Sequence, residues 1–233
     1  MRILTAEQTK RFSLYKHKGS KTTFERLILA TVTKITERIY PNVFNANFVT
    51  LMGQIPQLIS LAFLFRTMGF DISGDTSRND DNVFFWCGLS ILWFTHHDLM
   101  DGARARRQKA GTPFGRLFDE ANDMIQMTCY QIVLAYLLRI NNPALEIIFI
   151  ILNVLVFAIE AKFALCKELV LNVGEIGSIE IEHLFGTMFI LASYKGSGFY
   201  DQTLGETFNF SLGTGLISGL KWKYVTAGIL ATT

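Results

Sequence analysis

Residues 98–123 read DLMDGARARRQKAGTPFGRLFDEAND, and this stretch decides the fold. It places one pair of carboxylates before and one pair after a short, basic, Gly-containing turn. Asp98 and Asp101 are three residues apart and Asp119 and Asp123 are four apart, so on helices each pair shares one face. Because the turn returns the chain, we expect the two helix ends to face each other and the four carboxylates to converge.

Working outward from this stretch, uncharged apolar runs recur along the chain with short polar breaks. The 233 residues are 50% hydrophobic and 18% charged, with 20 Phe and a mean hydropathy of +0.29. This composition excludes a disordered, collagenous or disulfide-stapled chain and is unusual for a water-soluble domain. The longest run has 18 residues, about the length that crosses a hydrocarbon core of ~30 Å. The runs lie at 48–65, 82–95, 124–138, 147–159, 184–194 and 207–220.

These runs predict an all-α membrane protein of about six transmembrane helices, with a soluble all-helical protein as the alternative. Before the first run, residues 22–40 carry apolar side chains at helical spacing. That spacing predicts an amphipathic helix lying in the membrane interface, although packing against the bundle would give the same pattern. We therefore predict one domain over 1–233, with a basic segment and interfacial helix at 1–44 and a transmembrane bundle at 45–233.

Charge and cysteine content exclude several classes of function. The net charge of +2 is too small for bulk nucleic-acid binding, so no nucleic-acid partner is predicted. The three cysteines are odd in number and have no close spacing, which predicts neither a disulfide framework nor a zinc site.

Four carboxylates that converge near hydrocarbon are costly to bury, and divalent cations relieve that cost. Oxygen-only ligands favour Mg²⁺ or a similar hard ion, and two such ions suit a phosphoryl-type transfer. Gly102 and Ala105 remove side-chain bulk, so a flat ligand can approach the backbone there. Arg106 adds a fixed positive fork for phosphate groups.

The spacing D-x2-D-G-x2-A-R-x8-G-x3-D-x3-D is complete in this chain and closely resembles the signature of the CDP-alcohol phosphotransferases. Two further segments resemble the eukaryotic choline and ethanolamine phosphotransferases. Residues 4–16 are similar to an N-terminal segment of theirs that ends in a Tyr-Lys pair, here Tyr15 and Lys16. Residues 45–50 resemble their Pro-Asn-x-x-Thr motif before the first span. This chain is shorter at its C-terminus than those enzymes, which continue with further helices.

The resemblance implies an enzyme that transfers phosphocholine or phosphoethanolamine from CDP-choline or CDP-ethanolamine to diacylglycerol and releases CMP. It implies Mg²⁺ or Mn²⁺ at four aspartates, with Asp123 also assisting deprotonation of the acceptor hydroxyl. The implied metal ligands are Asp98, Asp101, Asp119 and Asp123, and the implied CDP-binding residues are Asn47, Thr50, Gly102, Ala105, Arg106 and Gly115. An integral protein of an endoplasmic reticulum or Golgi-type membrane is predicted, with the mitochondrial inner membrane as the alternative.

Two other functions stay open. The first is an enzyme of the same superfamily that uses CDP-diacylglycerol as donor and a small polar alcohol as acceptor. The segment that ends in Tyr15 and Lys16 argues against this function. The second is a catalytically reduced or silent family member recruited as a structural subunit of a larger membrane complex, for example in mitochondria. Independently of this choice, the predicted protein partner is a second copy of the chain or a membrane complex. The sequence Glu120-Ala121-Asn122 stands where eukaryotic members usually have His-Gly-Cys between the last two aspartates, and this departure favours the structural subunit. In the alternative, His97, which shares a helical face with Asp101, pairs with Glu120 and replaces the missing histidine.

Overall fold

The computed structural model describes residues 22–70, 81–138 and 177–203, together with the isolated positions 147, 151, 154, 206, 207 and 220–222. Five α-helices account for most of these residues, and a short 3-10 helix at Ser197–Asp201 follows the last of them. The helices are α1 (Thr23–Ile39), α2 (Ala46–Met68), α3 (Asn82–Gln108), α4 (Pro113–Leu138) and α5 (Ser178–Lys195). The N-terminal segment at 4–16 lies outside the described residues, as do the runs at 147–159 and 207–220 apart from the isolated positions.

The helical prediction is confirmed for the part of the chain that the structure describes. Each of the other four apolar runs lies within one helix, the first in α2 and the rest in α3, α4 and α5. Of the described helices, α2 is the one that is both long and apolar enough to cross a bilayer. The number of six transmembrane helices is therefore not confirmed and stays a prediction.

Helix α2 is apolar outside and polar inside. Its buried positions include Gln54, Gln57 and Ser60, whereas Leu58 and Ile59 are exposed. A helix in a water-soluble protein has the opposite arrangement. Exposed apolar side chains around a polar interior are the pattern that a lipid solvent favours, because lipid leaves polar groups only internal partners.

The predicted reversal between the two aspartate pairs forms as a four-residue turn. Helix α3 ends where Lys109 adopts a left-handed conformation with φ of 50°, and the Ala110 N–H donates to the Ala105 carbonyl at 3.1 Å. The Thr112 hydroxyl accepts from the Gly115 N–H at 2.9 Å, which caps the start of α4. The C-terminal end of α3 and the N-terminal end of α4 therefore lie side by side.

Glycines set the distance between α3 and α5. A Cβ atom added at Gly88 would overlap the Gly186 carbonyl oxygen and lie 3.0 Å from the Ile190 nitrogen. A Cβ at Gly186 would lie 2.7 Å from the side chain of Leu92. Small residues at such crossings let backbones approach closely, as is common between membrane helices.

Helix α1 is amphipathic, as predicted, and packs on the bundle with one face. Val32 is buried in a cluster with Val49 of α2 and Leu99 of α3, whereas Leu27 and Ile39 are exposed. The apolar outer face is compatible with the membrane interface, and that location stays a prediction.

The connection between α1 and α2 is held by a buried cation. Arg104 is 3% exposed and donates to the carbonyls of Tyr40 at 2.8 Å and Phe44 at 3.0 Å, and also to that of Pro41. These bonds fix the start of α2 against the last turns of α3, next to the aspartates.

Candidate metal centre

The four predicted aspartates converge between α3 and α4. Carboxylate oxygens of Asp98, Asp119 and Asp123 all lie within 4.8 Å of one another. The Asp119 carboxylate is also close to that of Asp101, which accepts a hydrogen bond from the Thr50 hydroxyl of α2. Two helices thus supply the four carboxylates, as the spacing of the aspartates predicted, and α2 adds the Thr50 hydroxyl.

The donor set fits a divalent cation. The Oδ1 atom of Asp119 is buried and has no hydrogen-bond partner among the described residues, so this oxygen is available to bind a cation. Clustered carboxylates repel one another, and a cation among them would remove that repulsion. Since every ligand atom is oxygen, Mg²⁺ or Mn²⁺ suits the centre better than zinc.

Positive charge and small side chains border this centre. The side chain of Arg106 folds back along α3, and a Cβ atom at Gly102 would lie 3.2 Å from its Nη1. Ala105, which lies between Gly102 and Arg106 in the sequence, is half-buried, and Arg106 is exposed. An exposed guanidinium beside a bare backbone surface is suited to the phosphates of a nucleotide.

The other predicted ligand-binding residues lie together where α2 and α4 begin. A Cβ atom at Gly115 would lie 3.3 Å from the Oδ1 atom of Asn47. Thr50 is one helical turn beyond Asn47 and is 3% exposed. The structure therefore brings Asn47, Thr50 and Gly115 to the same side of the bundle as the aspartates.

The structure does not bring His97 and Glu120 together. Both ring nitrogens of His97 are engaged, Nδ1 at 2.8 Å from the Trp93 carbonyl and Nε2 at 2.8 Å from the Tyr40 hydroxyl. Glu120 forms an ion pair with Arg116 on its own helix. His97 therefore anchors the end of α1, and the proposed histidine–carboxylate pair does not form.

One acidic residue of the centre was missed from the sequence. The Glu182 carboxylate of α5 lies beside the side chains of Thr95 and Gln126, and it is near enough to Asp98 and Asp123 to repel both. The neighbouring Glu180 instead accepts from the Gly177 N–H at 2.9 Å and from the Thr22 hydroxyl. Glu180 caps α5, and Glu182 faces the aspartates.

The ends of apolar helices thus bring together a cluster of aspartates that could hold a divalent cation. Comparison with known proteins identifies the class of protein, because residues 43–208 match the CDP-alcohol phosphatidyltransferase family. The chain belongs to this family. Its members are integral membrane transferases of phospholipid head groups, and they generally use divalent metals.

Two curated relatives show how wide the family is. An uncharacterized CDP-alcohol phosphatidyltransferase class-I family protein 3 of Dictyostelium discoideum is 26% identical over 134 residues, which cover 57% of this chain and 33% of the relative. A phosphatidylinositol phosphate synthase of Mycobacteroides abscessus is 28% identical over 99 residues, 41% of this chain and 39% of the relative. The matched regions thus span well under half the length of these curated relatives.

Proposed function

We propose that the protein transfers phosphocholine or phosphoethanolamine from a CDP-alcohol to diacylglycerol and releases CMP. The observation that carries the proposal is the four-aspartate centre with its unpartnered Asp119 oxygen, bordered by Gly102 and Arg106. The similarity of residues 4–16 and 45–50 to choline and ethanolamine phosphotransferases supports the choice of head group.

The reaction joins two substrates at one phosphorus atom. The acceptor oxygen attacks the phosphorus that bears the alcohol, the bond from that phosphorus to the CMP oxygen breaks, and CMP leaves. The acceptor proton passes to a carboxylate, for which Asp123 is the candidate. The guanidinium of Arg106 holds the nucleotide phosphates, and Asn47 and Gly115 border the nucleotide from the ends of α2 and α4.

The residues that would hold the metal are Asp98, Asp101, Asp119 and Asp123. Divalent cations there would offset negative charge on the transferring group and on the leaving phosphate. The Thr50 hydroxyl fixes one oxygen of Asp101, so that carboxylate keeps its orientation as substrates bind and leave.

A second candidate function uses CDP-diacylglycerol as donor and a small polar alcohol as acceptor. The relative named phosphatidylinositol phosphate synthase favours it, because that name indicates a different alcohol. Both functions share the aspartate centre and the nucleotide, and they differ in which substrate carries the lipid.

Product formation by the purified protein tests these functions. In detergent micelles with Mg²⁺, we expect CMP release from CDP-choline or CDP-ethanolamine when diacylglycerol is present and little without it. Release from CDP-diacylglycerol with inositol phosphate or glycerol phosphate, and not from the first pair, would establish the second candidate. No binding of any cytidine nucleotide would favour a structural subunit of a membrane complex.

Nucleotide affinity should depend on the backbone surface at Gly102 and the charge of Arg106. Gly102→Leu places a branched side chain where the guanidinium now lies, and Arg106→Ala removes a charge-assisted donor. We expect each change to weaken binding of CDP-choline with Mg²⁺ by about tenfold or more, as for loss of a hydrogen bond to a charged group. Titration calorimetry measures this.

The matched control is Arg107→Ala, which removes an exposed charge from the next position of α3. We expect it to leave the dissociation constant within about twofold, since an exposed charge contributes little. Equal losses in Arg106→Ala and Arg107→Ala would show that general basic charge, and not a specific phosphate contact, binds the nucleotide.

A further inference from the structure

Glu120 occupies a position in the signature stretch that the metal centre does not use. It lies between Asp119 and Asp123, where eukaryotic members usually have a histidine, but its carboxylate does not belong to the group of aspartate oxygens that lie within 4.8 Å of one another. Its direct partner is the Arg116 guanidinium, four residues earlier on α4. The charge of Glu120 therefore has to be explained through Arg116.

The Arg116 guanidinium lies between two carboxylates. Its Nη2 atom forms an ion pair with the Oε1 atom of Glu120, and its Nη1 atom lies 3.7 Å from the Oδ2 atom of Asp119. A separation of 3.7 Å is too long for a hydrogen bond, so Glu120 and not Asp119 holds the guanidinium. The side chain of Arg116 is 34% exposed and those of Asp119 and Glu120 are 24% and 23% exposed, so water and salt screen these charges only in part.

Asp119 is the metal-ligand candidate that this guanidinium can affect. One of its oxygens, Oδ1, is buried and has no hydrogen-bond partner among the described residues, and the other, Oδ2, lies near Arg116. An arginine that closes onto a carboxylate binds both of its oxygens through parallel N–H groups. Such a pair would occupy the oxygens that a divalent cation needs, and the positive charge of the guanidinium would repel the cation.

Glu120 competes with Asp119 for the same guanidinium. Side chains three and four residues apart on a helix are neighbours, so Arg116 can reach either carboxylate. In the structure it pairs with Glu120, and the opposite charges of this pair largely cancel in their effect on the aspartates. Asp119 thus stays open to a cation that it would share with Asp98 and Asp123.

We propose that Glu120 is a positioning residue that holds the Arg116 guanidinium off Asp119 and neutralises its charge, so that Asp119 stays available to a divalent cation. This inference rests on the cation site within the proposed function, and it adds a residue that sets how strongly that site binds. It also gives a role to the carboxylate that stands in place of the usual histidine. Glu120 itself contacts neither the cation nor the substrates, and the acceptor proton still passes to Asp123.

Binding of Mn²⁺ to the protein in detergent tests the proposal, with free Mn²⁺ measured by electron paramagnetic resonance. Glu120→Gln keeps the size of the side chain and removes its charge, which leaves the guanidinium uncompensated beside Asp119. We expect the dissociation constant for Mn²⁺ to rise about tenfold, because one charge within about 4–6 Å of a carboxylate changes its affinity for a proton by at least that factor. The double variant Glu120→Gln with Arg116→Gln removes the guanidinium as well, and its dissociation constant should return to within about twofold of the unchanged protein.

Two further variants and a second readout complete the test. Arg116→Gln alone should bind Mn²⁺ as tightly as the unchanged protein or more tightly, and it decides the question if Glu120→Gln does not fold. The matched control is Glu206→Gln, which removes the same charge from an exposed residue that bonds Thr203, and its affinity for Mn²⁺ should not change. In assays of CMP release, Glu120→Gln should need about tenfold more Mg²⁺ for half its maximal rate, with the rate at saturating Mg²⁺ little changed.

The outcomes separate this proposal from the proposed function. If the unchanged protein binds no Mn²⁺, both fail, whereas Mn²⁺ binding without CMP release from any CDP-alcohol rejects the proposed transfer and leaves the binding test to decide this inference. If Glu120→Gln binds Mn²⁺ as tightly as the unchanged protein, the ion pair is only a surface contact and this inference alone fails. If Glu120→Gln binds Mn²⁺ weakly and the double variant does not recover, Glu120 binds the cation itself and the inference is overturned. Weaker binding in Arg116→Gln alone would overturn it too, because the guanidinium would then support the centre.

Discussion

Asp98→Asn and Asp119→Asn are each expected to lower CMP release by about a thousandfold while the protein stays folded. Each change removes a charged oxygen ligand from a centre that works by charge compensation, which is a loss of several kcal/mol at about 1.4 kcal/mol per tenfold in rate. Because the carboxylates repel one another, removing one charge should leave the unfolding temperature in detergent unchanged or higher. Initial rates of CMP release and thermal unfolding in detergent are the measurements.

A matched control removes a carboxylate elsewhere. Glu206→Gln changes the net charge in the same way, but Glu206 is exposed and bonds Thr203 in a local turn. We expect its rate of CMP release to equal that of the unchanged protein. Full activity in both Asn variants would disprove a metal centre at the four aspartates, and loss of folded protein in either would show that the carboxylates serve the fold.

The second large effect is expected from a single added methyl group at the crossing of α3 and α5. Gly88→Ala places a Cβ atom against the Gly186 carbonyl, and backbone cannot move aside as a flexible side chain can. Overpacking of this kind costs about 3 kcal/mol. We expect a clear fall in the unfolding temperature in detergent, together with weaker activity, since α5 brings Glu182 to the aspartates.

Gly111→Ala is the control for the general cost of replacing a glycine. An added Cβ there meets nothing within 4 Å, and Gly111 lies in the turn between α3 and α4. Its unfolding temperature should be unchanged. If Gly88→Ala unfolds at the same temperature as Gly111→Ala, then the close approach of α3 and α5 is not maintained in the membrane protein.

The aspartate centre was predictable because its information is local. Residues 98–123 fix the spacing on each helix, and the short turn between Lys109 and Thr112 forces the two helix ends together. The same regularity predicted α2 to α5 from uncharged runs. The contact between Asp101 and Thr50 depends on a third helix and was not predicted, because the family resemblance implied only that Thr50 borders the CDP moiety.

Glu180 and Glu182 show what periodicity cannot decide, because α5 is apolar on all sides. The two residues are two apart, so they point to different sides of α5 and only one can face the bundle. Phe185, Gly186 and Phe189 are buried, and Glu182 precedes them by three, four and seven residues, which continues the buried face. The structure shows which face is buried, whereas in the sequence Leu184 and Met188 mark the face of Glu180 equally well.

The structural role of Arg104 could not be predicted from the sequence either. It stands among Arg106, Arg107 and Lys109, so the sequence indicates one basic cluster of equivalent residues. Its position three residues after Asp101 puts it on the buried face, but its partners are backbone carbonyls at 40–44. Carbonyl groups are common to every residue, so no side-chain pattern marks them as partners.

The inverted character of α2 has a consequence for the order in which the chain is assembled during synthesis. When α2 enters the bilayer, the Gln57 amide still lacks its carbonyl partner, because Gln126 follows it by 69 residues. Until α4 is made, the amides of α2 face lipid or one another, and polar groups exposed in that way draw helices together. The polar residues that line the finished interior thus also promote association of α2 with the helices made later. If synthesis stalled before α4, the nascent chain would be prone to associate with the wrong partner.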